Sequence, residues 1–188
     1  MIVRIAILAA SLIAAIHTAS ADEAAAWDAL RAGGHVAVMR HTDAPGGAGD
    51  PPGFRLEDCA TQRNLSAKGR ADAAAIGARI KSEGVAFEKV LSSPWCRCLD
   101  TAKLMDVGEV QAEPTFSNAF VLSGQRDALT AGARAIVQAW RGPGTLLVVT
   151  HGANIRALTG VSPAQGEIVV VRAGPGGSIE PVGRIPPE

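Results

Sequence analysis

The amino-acid sequence predicts an α/β fold, a three-layer sandwich with a mostly parallel central sheet and helices on both faces. Short apolar runs alternate along the chain with segments of helical periodicity, an order typical of parallel strands joined by crossover helices. The apolar runs are also continuous, as in TLLVVT at 145–150. Strands buried on both faces have this pattern, whereas half-exposed strands alternate apolar and polar residues.

The amino-terminal part of the chain holds two predicted strands and three predicted helices. Gly33-Gly34 closes the first helix, Ser66 caps the second and Gly84 stops it, and Ser93-Pro94 opens the third. Clustered Gly and Pro residues predict a long loop, and long loops in compact domains often carry function. The predicted elements are a helix over 22–32, a strand over 35–40, the loop over 43–62, a helix over 67–83, a strand over 87–93 and a helix over 94–105.

The carboxyl-terminal part continues the alternation. Residues 124–140 have apolar positions at helical spacing, and Gly160 stops a shorter helix. The tail from 174 is rich in Pro and Gly, and we expect it to add an edge strand. The predicted elements are a helix over 124–140, a strand over 145–150, a helix over 153–159 and a last core strand over 166–173.

The first 21 residues resemble a secretory signal peptide. Arg4 precedes an apolar stretch over 5–16, and Ala19-Ser20-Ala21 has the small-residue pattern of a cleavage site. The apolar stretch is short for a membrane span, although an uncleaved amino-terminal anchor is the alternative. We therefore expect a signal peptide over 1–21, a single domain over 22–188 and a periplasmic or secreted protein, with no membrane contact after cleavage.

Charge and cysteine content narrow the class of protein. The chain has 18 Lys and Arg against 18 Asp and Glu, which argues against a nucleic-acid or membrane-surface partner. An oxidising compartment permits a disulfide, and three cysteines leave one thiol over. We expect Cys59 to pair with either Cys96 or Cys98, which would tie the long loop to the helix over 94–105. The oligomeric state stays open.

Basic and imidazole side chains follow the predicted strands where each strand ends. Arg40 and His41 end the first strand, and His151 follows the strand over 145–150. Arg97 lies in the first turn of the helix after the second strand, where free backbone amides favour an anion. Because ligands of open α/β sheets bind at the carboxyl ends of the strands, we expect these four side chains to converge.

Two guanidinium groups and two imidazoles around one point suit a phosphate dianion. Guanidinium binds phosphate in bidentate fashion, and the interaction strengthens as the oxygens gain charge. A neutral imidazole in such a pocket can attack phosphorus and form a phosphohistidine that water later hydrolyses. The positive surroundings keep the pKa of that imidazole low, which preserves the nucleophilic form.

With these features the sequence resembles the histidine phosphatase superfamily, which includes the phosphoglycerate mutases. The resemblance implies that His41 is the phosphate-accepting nucleophile and that Arg40, Arg97 and His151 bind the phosphate. Arg63 and Asn64 match a polar stretch near that pocket and are candidate substrate contacts. The segments that carry the likeness are VMRH at 38–41, QRNLSAKGRADAAAIG at 62–77, LSSPWCRCLDTA at 91–102 and VVTHGANIRALTG at 148–160.

Two departures from the family pattern concern the pocket and the proton donor. The usual Arg-His-Gly is Arg-His-Thr here, so Thr42 would narrow the pocket and could donate to a phosphate oxygen. The Glu that serves as proton donor in the mutase-like branch is matched by Asn118. Glu167 is the candidate replacement, because it opens the last core strand not far along the chain from His151, and Asp43 is the reserve.

We therefore expect a metal-independent phosphatase that hydrolyses small phosphate esters through phosphohistidine, without a cofactor. The alternative is a catalytically silent phosphate- or phosphoester-binding module of the same fold. A two-metal phosphatase is disfavoured because the mature chain lacks D-x-D and H-x-H clusters. A cysteine phosphatase is disfavoured because no Cys is followed six residues later by Arg.

Overall fold

The computed structural model describes residues 22–187, so the predicted signal peptide lies outside the described residues. The elements follow the predicted alternation of helices and strands. They are α1 (22–32), β1 (Val36–Arg40), α2 (Ala67–Ser82), β2 (Phe87–Ser92), α3 (Cys96–Met105), β3 (Val110–Ala112), α4 (Arg126–Ala139), β4 (Thr145–Thr150), α5 (Gly152–Thr159), β5 (Ile168–Ala173) and β6 (Ile179–Ile185).

The strands form one six-stranded sheet in the order β3-β2-β4-β1-β5-β6. The pairs β3 with β2, β2 with β4 and β4 with β1 are parallel, whereas β5 runs antiparallel to β1 and β6 antiparallel to β5. The sheet is therefore mixed but mostly parallel, which confirms the predicted fold class. The tail supplies the edge strand β6, as expected.

The sheet separates two hydrophobic cores, because successive side chains of a strand point to opposite faces. On β1, Ala37 and Met39 pack with residues of α1, α2 and α3. Val36 and Val38 pack on the other face with residues of α4 and α5. The central strands are buried on both faces, so their continuous apolar sequences are explained.

Most element boundaries agree with the sequence prediction to within two residues, and the following differences bear on the site or the sheet. The prediction missed β3, which has only three residues, none of them buried. Helix α3 begins at Cys96 and not at 94, and Ser93 does not cap it. Strand β5 begins at Ile168, because Gly166 takes a left-handed conformation with φ of 82° and donates its N–H to the carbonyl oxygens of Arg40 and His41. Ser66 does cap α2, through a hydrogen bond from Gly69 N.

Candidate active site

The sheet register brings three strand ends together. Arg40 of β1 pairs with Thr150 of β4, and the His41 N–H donates to the Thr150 carbonyl oxygen over 3.0 Å. On the other side of β4, Ser93 N donates to the Val149 carbonyl oxygen over 2.9 Å. The residues that follow β1, β4 and β2 therefore meet at one edge of the sheet.

His41 is held as a neutral imidazole with one nitrogen free. The side chain is buried, and Nδ1 lies 2.8 Å from the carbonyl oxygen of Thr42. Because a carbonyl can only accept, Nδ1 carries the proton and Nε2 keeps its lone pair. No described residue hydrogen-bonds to that Nε2. Burial lowers the pKa of His41 from 6.5 to about 3, and the nearby guanidinium groups act in the same direction.

His151 packs edge-on against His41, with ring centroids 5.6 Å apart. Its Nδ1 accepts from an Arg97 Nη2 at 3.4 Å, since guanidinium only donates. The proton therefore lies on Nε2, which donates to Ser93 Oγ over 2.9 Å. Burial and the charge of Arg97 hold the pKa of His151 well below its ordinary value. Both imidazoles are thus neutral at pH 7.

Arg97 is fully buried and forms an ion pair with Asp50, whose side chain is also fully buried. Arg97 Nη1 lies 2.6 Å from Asp50 Oδ1, and Nη2 lies 3.3 Å from Oδ2. The Asp50 carboxylate accepts two further hydrogen bonds, from Trp95 Nε1 at 3.0 Å and from the backbone N–H of Arg63 at 3.1 Å. Arg97 does not line the cavity described below.

A cavity of about 630 Å³ opens at the joined strand ends. His41, His151 and several arginines border it, together with the start of α5. Among the residues that line it within the described part of the chain, there is no carboxylate. The lining residues are Arg40, His41, Ala48, Gly49, Arg63, Asn118, Phe120, Arg126, His151, Gly152, Ala153, Arg156, Ala157, Ser162 and Pro163.

Arg40 presents an unsatisfied donor at this cavity, and Arg63 borders it as well. Arg40 Nη1 donates to the Pro163 carbonyl oxygen at 2.9 Å, while its Nε is buried without an acceptor in the described chain. A buried unpaired donor is unfavourable, so an anion placed there would be stabilised. Gly152 lies beside this donor, since a Cβ built there would be in van der Waals contact with Arg40 Nε at 3.4 Å. Arg63 is held by the carbonyl oxygens of Ala44 and Gly49.

The remaining predicted pocket residues do not all lie at the cavity. Asn118 lines it, and its Oδ1 accepts from Phe120 N. Thr42 is buried against Thr101 and does not line it. Asn64 lies outside as well, donating its Nδ2 to the Cys59 carbonyl oxygen.

Neither candidate proton donor faces His41 across the cavity. Glu167 is buried away from the lining, where its carboxylate accepts from Arg184 Nε at 2.5 Å and from Ala164 N at 2.7 Å. This geometry fits a structural ion pair, and a role of Glu167 as the acid stays a prediction. Asp43 accepts from Ser66 Oγ and borders a neighbouring cavity of about 570 Å³, which also contacts Arg40.

The long loop is tied to α3 by a disulfide between Cys59 and Cys96, with Cα atoms 5.7 Å apart. The structure thus selects one of the two predicted pairings. Cys98 is the free cysteine and is buried near His151, and burial raises the pKa of its thiol to about 12. The disulfide joins the loop that supplies Asp50 to the helix that supplies Arg97.

The described residues contain no group of three or more His, Cys, Asp and Glu side chains placed to hold a metal ion. Within the same part of the chain, no helix has the length and hydropathy needed to cross a membrane.

The structure adds four residues that the sequence analysis did not single out: Asp50, Phe120, Arg126 and Arg156. The sequence could have indicated Arg156 as a cavity residue. It follows His151 by five residues in the predicted helix and so lies about one turn along the helix from its start. Asp50 and Arg126 carry none, since they reach the site through loop and helix packing.

Comparisons with known proteins agree with this fold. Residues 56–119 match the profile of the histidine phosphatase superfamily (branch 1), a range that includes Arg97. No match is found among curated proteins.

Solved structures similar to this chain include the protein histidine phosphatase SixA complexed with tungstate, at 20% identity and a TM-score of 0.58, covering 81% of this chain and 97% of that one. A putative phosphohistidine phosphatase SixA from Agrobacterium tumefaciens has 17% identity and a TM-score of 0.57 over the same shares. A mycobacterial glucosyl-3-phosphoglycerate phosphatase has 16% identity and a TM-score of 0.53, covering 77% of this chain and 92% of that one. The chain thus has the histidine phosphatase fold, with a sequence match to branch 1 of that superfamily over residues 56–119.

Proposed function

We propose that this protein is a metal-independent phosphatase that transfers the phosphoryl group of a small substrate to His41. The observation that carries the proposal is the state of His41, a buried neutral imidazole with Nδ1 protonated and Nε2 unengaged at an arginine-lined cavity. An attacking nitrogen needs its lone pair, and an incoming phosphate needs positive charge around it. Both conditions are met at one point.

In the first step the lone pair of His41 Nε2 forms an N–P bond as the bond from phosphorus to the leaving group breaks. Arg40, Arg63 and the amide groups at the start of α5 stabilise the charge on the phosphoryl oxygens. In the second step water attacks phosphorus, the N–P bond breaks, and the proton of the water passes to solvent. Inorganic phosphate leaves and His41 regains its lone pair.

The predicted roles of Arg97 and His151 change in this mechanism. Asp50 accepts from both Nη atoms of Arg97, whose Nε is buried without an acceptor among the described residues, and the two nitrogens of His151 are bound to Arg97 and Ser93. Arg97 then acts by fixing the ring and tautomer of His151, which packs against the nucleophile. His151 forms the wall behind the phosphoryl site.

The preferred substrates are those whose leaving group departs without a proton donor, because no described carboxylate lines the cavity. Aryl phosphates and acyl phosphates belong to this class, and so do phosphoramidates whose nitrogen already carries a proton. Unactivated alkyl phosphates need general-acid assistance, which contributes about 10²- to 10⁴-fold in rate. We therefore place this enzyme's substrate among activated phosphoryl donors.

A silent binding module remains the second candidate, and the buried Arg97–Asp50 pair favours it, because Asp50 already neutralises one arginine of the predicted pocket. The two candidates differ in covalent chemistry. A phosphatase forms a phosphohistidine during turnover, whereas a binding module forms none.

The deciding experiment is to quench a reaction with p-nitrophenyl phosphate and identify the modified residue by mass spectrometry. We expect acid-labile phosphohistidine at His41, none in His41→Asn, and activity that survives EDTA. His35→Asn is the matched control, because His35 precedes β1 at its opposite end and contacts the Gly33 carbonyl oxygen. An unmodified His41 during measurable turnover contradicts the mechanism.

Export to an oxidising compartment is part of the proposal. The signal-like sequence over 1–21 and the Cys59–Cys96 disulfide support it, because disulfides persist mainly outside the cytosol. The intact mass of protein collected after export is expected to correspond to a chain beginning at Asp22. A mass that retains residues 1–21 would contradict signal cleavage.

A further inference from the structure

Two arginines of the cavity have no part in the chemistry at His41. Arg126 begins α4 and Arg156 lies on α5, and both side chains are exposed. No described carboxylate forms an ion pair with either of them. An arginine on a protein surface commonly finds an acidic neighbour or faces bulk water, but these two border the same cavity as the nucleophile.

Helix α5 positions Arg156 at the cavity. Gly152, Ala153, Arg156 and Ala157 recur at the spacing of one helical face, and all four line the cavity. Arg156 follows Gly152 by four residues, so its Cα lies about 6 Å further along the helix axis. Helix α5 thus borders the cavity with its first turn beside His151 and with the Arg156 side chain about one turn further along.

Apolar side chains also line the cavity. Ala153 and Ala157 lie on the α5 side, and Phe120, whose residue surface is 51% exposed, lies in the same lining. Arg126 Nε donates to the carbonyl oxygen of Ala119 at 3.4 Å. Ala119 directly precedes Phe120, so the Arg126 guanidinium lies close to the backbone next to Phe120. The cavity thus combines the proposed phosphoryl site with apolar side chains and two further cationic groups.

We propose that Arg126 and Arg156 form a second anion subsite, and that the substrate is a small phosphorylated molecule with a second anionic group. The inference rests on the proposed function, because that function places the phosphoryl group at His41. Guanidinium pairs geometrically with carboxylate and with phosphate, and the charge-assisted hydrogen bonds that result are stronger than neutral ones. A substrate with a neutral group of the same shape at this position cannot form these charge-assisted hydrogen bonds.

The test measures equilibrium binding of two phosphonates, which cannot be hydrolysed. The pair is 4-carboxybenzylphosphonate and 4-carbamoylbenzylphosphonate, which differ in the charge of the remote group and little in shape. We expect the carboxylate to bind at least about tenfold more tightly, as a charge-assisted contact implies. The preference is expected to fall several-fold in Arg156→Gln or Arg126→Gln and to vanish in the double variant. A ratio near one in the unmodified protein, or one that the double variant leaves unchanged, overturns the subsite.

The matched control is Arg134→Gln, since Arg134 lies on α4 outside the cavity and contacts the Gly177 carbonyl oxygen. We expect it to keep the preference. Turnover of 4-carbamoylphenyl phosphate is measured in parallel and reports the proposed function separately. Turnover without a binding preference removes the subsite and keeps the phosphatase, whereas a preference without turnover or phosphohistidine keeps the subsite and removes the phosphatase.

Discussion

Asp50 and Arg97 form a buried ion pair in which neither side chain is exposed to solvent. Arg97 is the arginine that the sequence places at the start of a helix for binding an anion, and Asp50 comes from the glycine-rich loop. The loop thus supplies an internal carboxylate where an external anion was expected. The Cys59–Cys96 disulfide keeps this loop next to α3.

Removing the Asp50 charge is expected to destabilise the fold. Breaking a buried pair leaves the partner charge uncompensated, which costs about 3–5 kcal/mol. The free energy of unfolding of Asp50→Asn, measured by urea denaturation at pH 7, is expected to fall by an amount of this order. Glu57→Gln is the control in the same loop, because the Glu57 side chain is 76% exposed. Equal stability of Asp50→Asn and the unmodified protein would show that the pair contributes nothing.

The same pair has a predicted acid dependence. Burial raises the pKa of Asp50, but the hydrogen bonds and charge of Arg97 and the Arg63 backbone N–H outweigh it, so the pKa lies below its ordinary value. A carboxyl group whose pKa is depressed by folding stabilises the folded state fully at pH values above its unfolded pKa of about 3.9. This stabilisation is lost as the pH falls from there through the pKa of the folded state. The stability gap between the unmodified protein and Asp50→Asn should therefore narrow below about pH 4. A gap that widens in acid contradicts this sign.

Phosphoryl transfer to His41 is expected to be insensitive to mild acid. With its pKa lowered to about 3, largely by burial, the imidazole stays neutral from pH 8 to pH 5. A nucleophile with the ordinary value of about 6.5 would lose roughly thirtyfold of its reactive form at pH 5. Single-turnover rates of phosphohistidine formation, corrected for ionisation of the substrate, provide the measurement. A decline centred near pH 6.5 would refute the low pKa.

The choice of leaving group is expected to dominate turnover. No described carboxylate lines the cavity, so an alkyl leaving group receives no general-acid assistance there. Because such assistance is typically worth at least about 10²-fold, kcat/KM for p-nitrophenyl phosphate should exceed that for an alkyl phosphate by more than about 10²-fold. Glu167→Gln should leave this ratio unchanged, because the Glu167 carboxylate is bound to Arg184 and Ala164. Asp43→Asn tests the carboxylate of the neighbouring cavity. A selective loss on the alkyl substrate in either variant identifies that residue as the acid.

The disulfide is expected to stabilise the folded protein. Cys59→Ser and Cys96→Ser should each lower the free energy of unfolding by about 2–4 kcal/mol, and the double variant should equal either single variant, since one bond is lost in all three. Additive losses would show that the two cysteines act independently of a common bond.

The Cys98 thiol is expected to be inert in the folded protein. It is fully buried, and burial raises its pKa to about 12, so the reactive thiolate is scarce at neutral pH. Thiol titration should detect none in native protein and one in denaturant. Rapid labelling under native conditions would contradict the burial.

The sequence by itself determined the order of the elements and the convergence of the strand ends. Continuous apolar runs require burial on both faces, and this requirement leads to a parallel core with His41 and His151 at the same edge. The sequence predicted helix boundaries less well where a side chain could form more than one hydrogen bond. Ser93 could cap α3, yet in the fold its hydroxyl binds His151.

Only the tertiary structure decided which charges meet. Asp50 reaches Arg97 across 47 residues of chain, and Glu167 is paired with Arg184 on the neighbouring strand instead of facing the cavity. The choice of Cys96 over Cys98 was settled in the same way, by which cysteine the loop can reach. The physical reason is that hydrophobic periodicity is a local property of the chain, whereas ion pairs and disulfides depend on distances that exist only after the loop has packed.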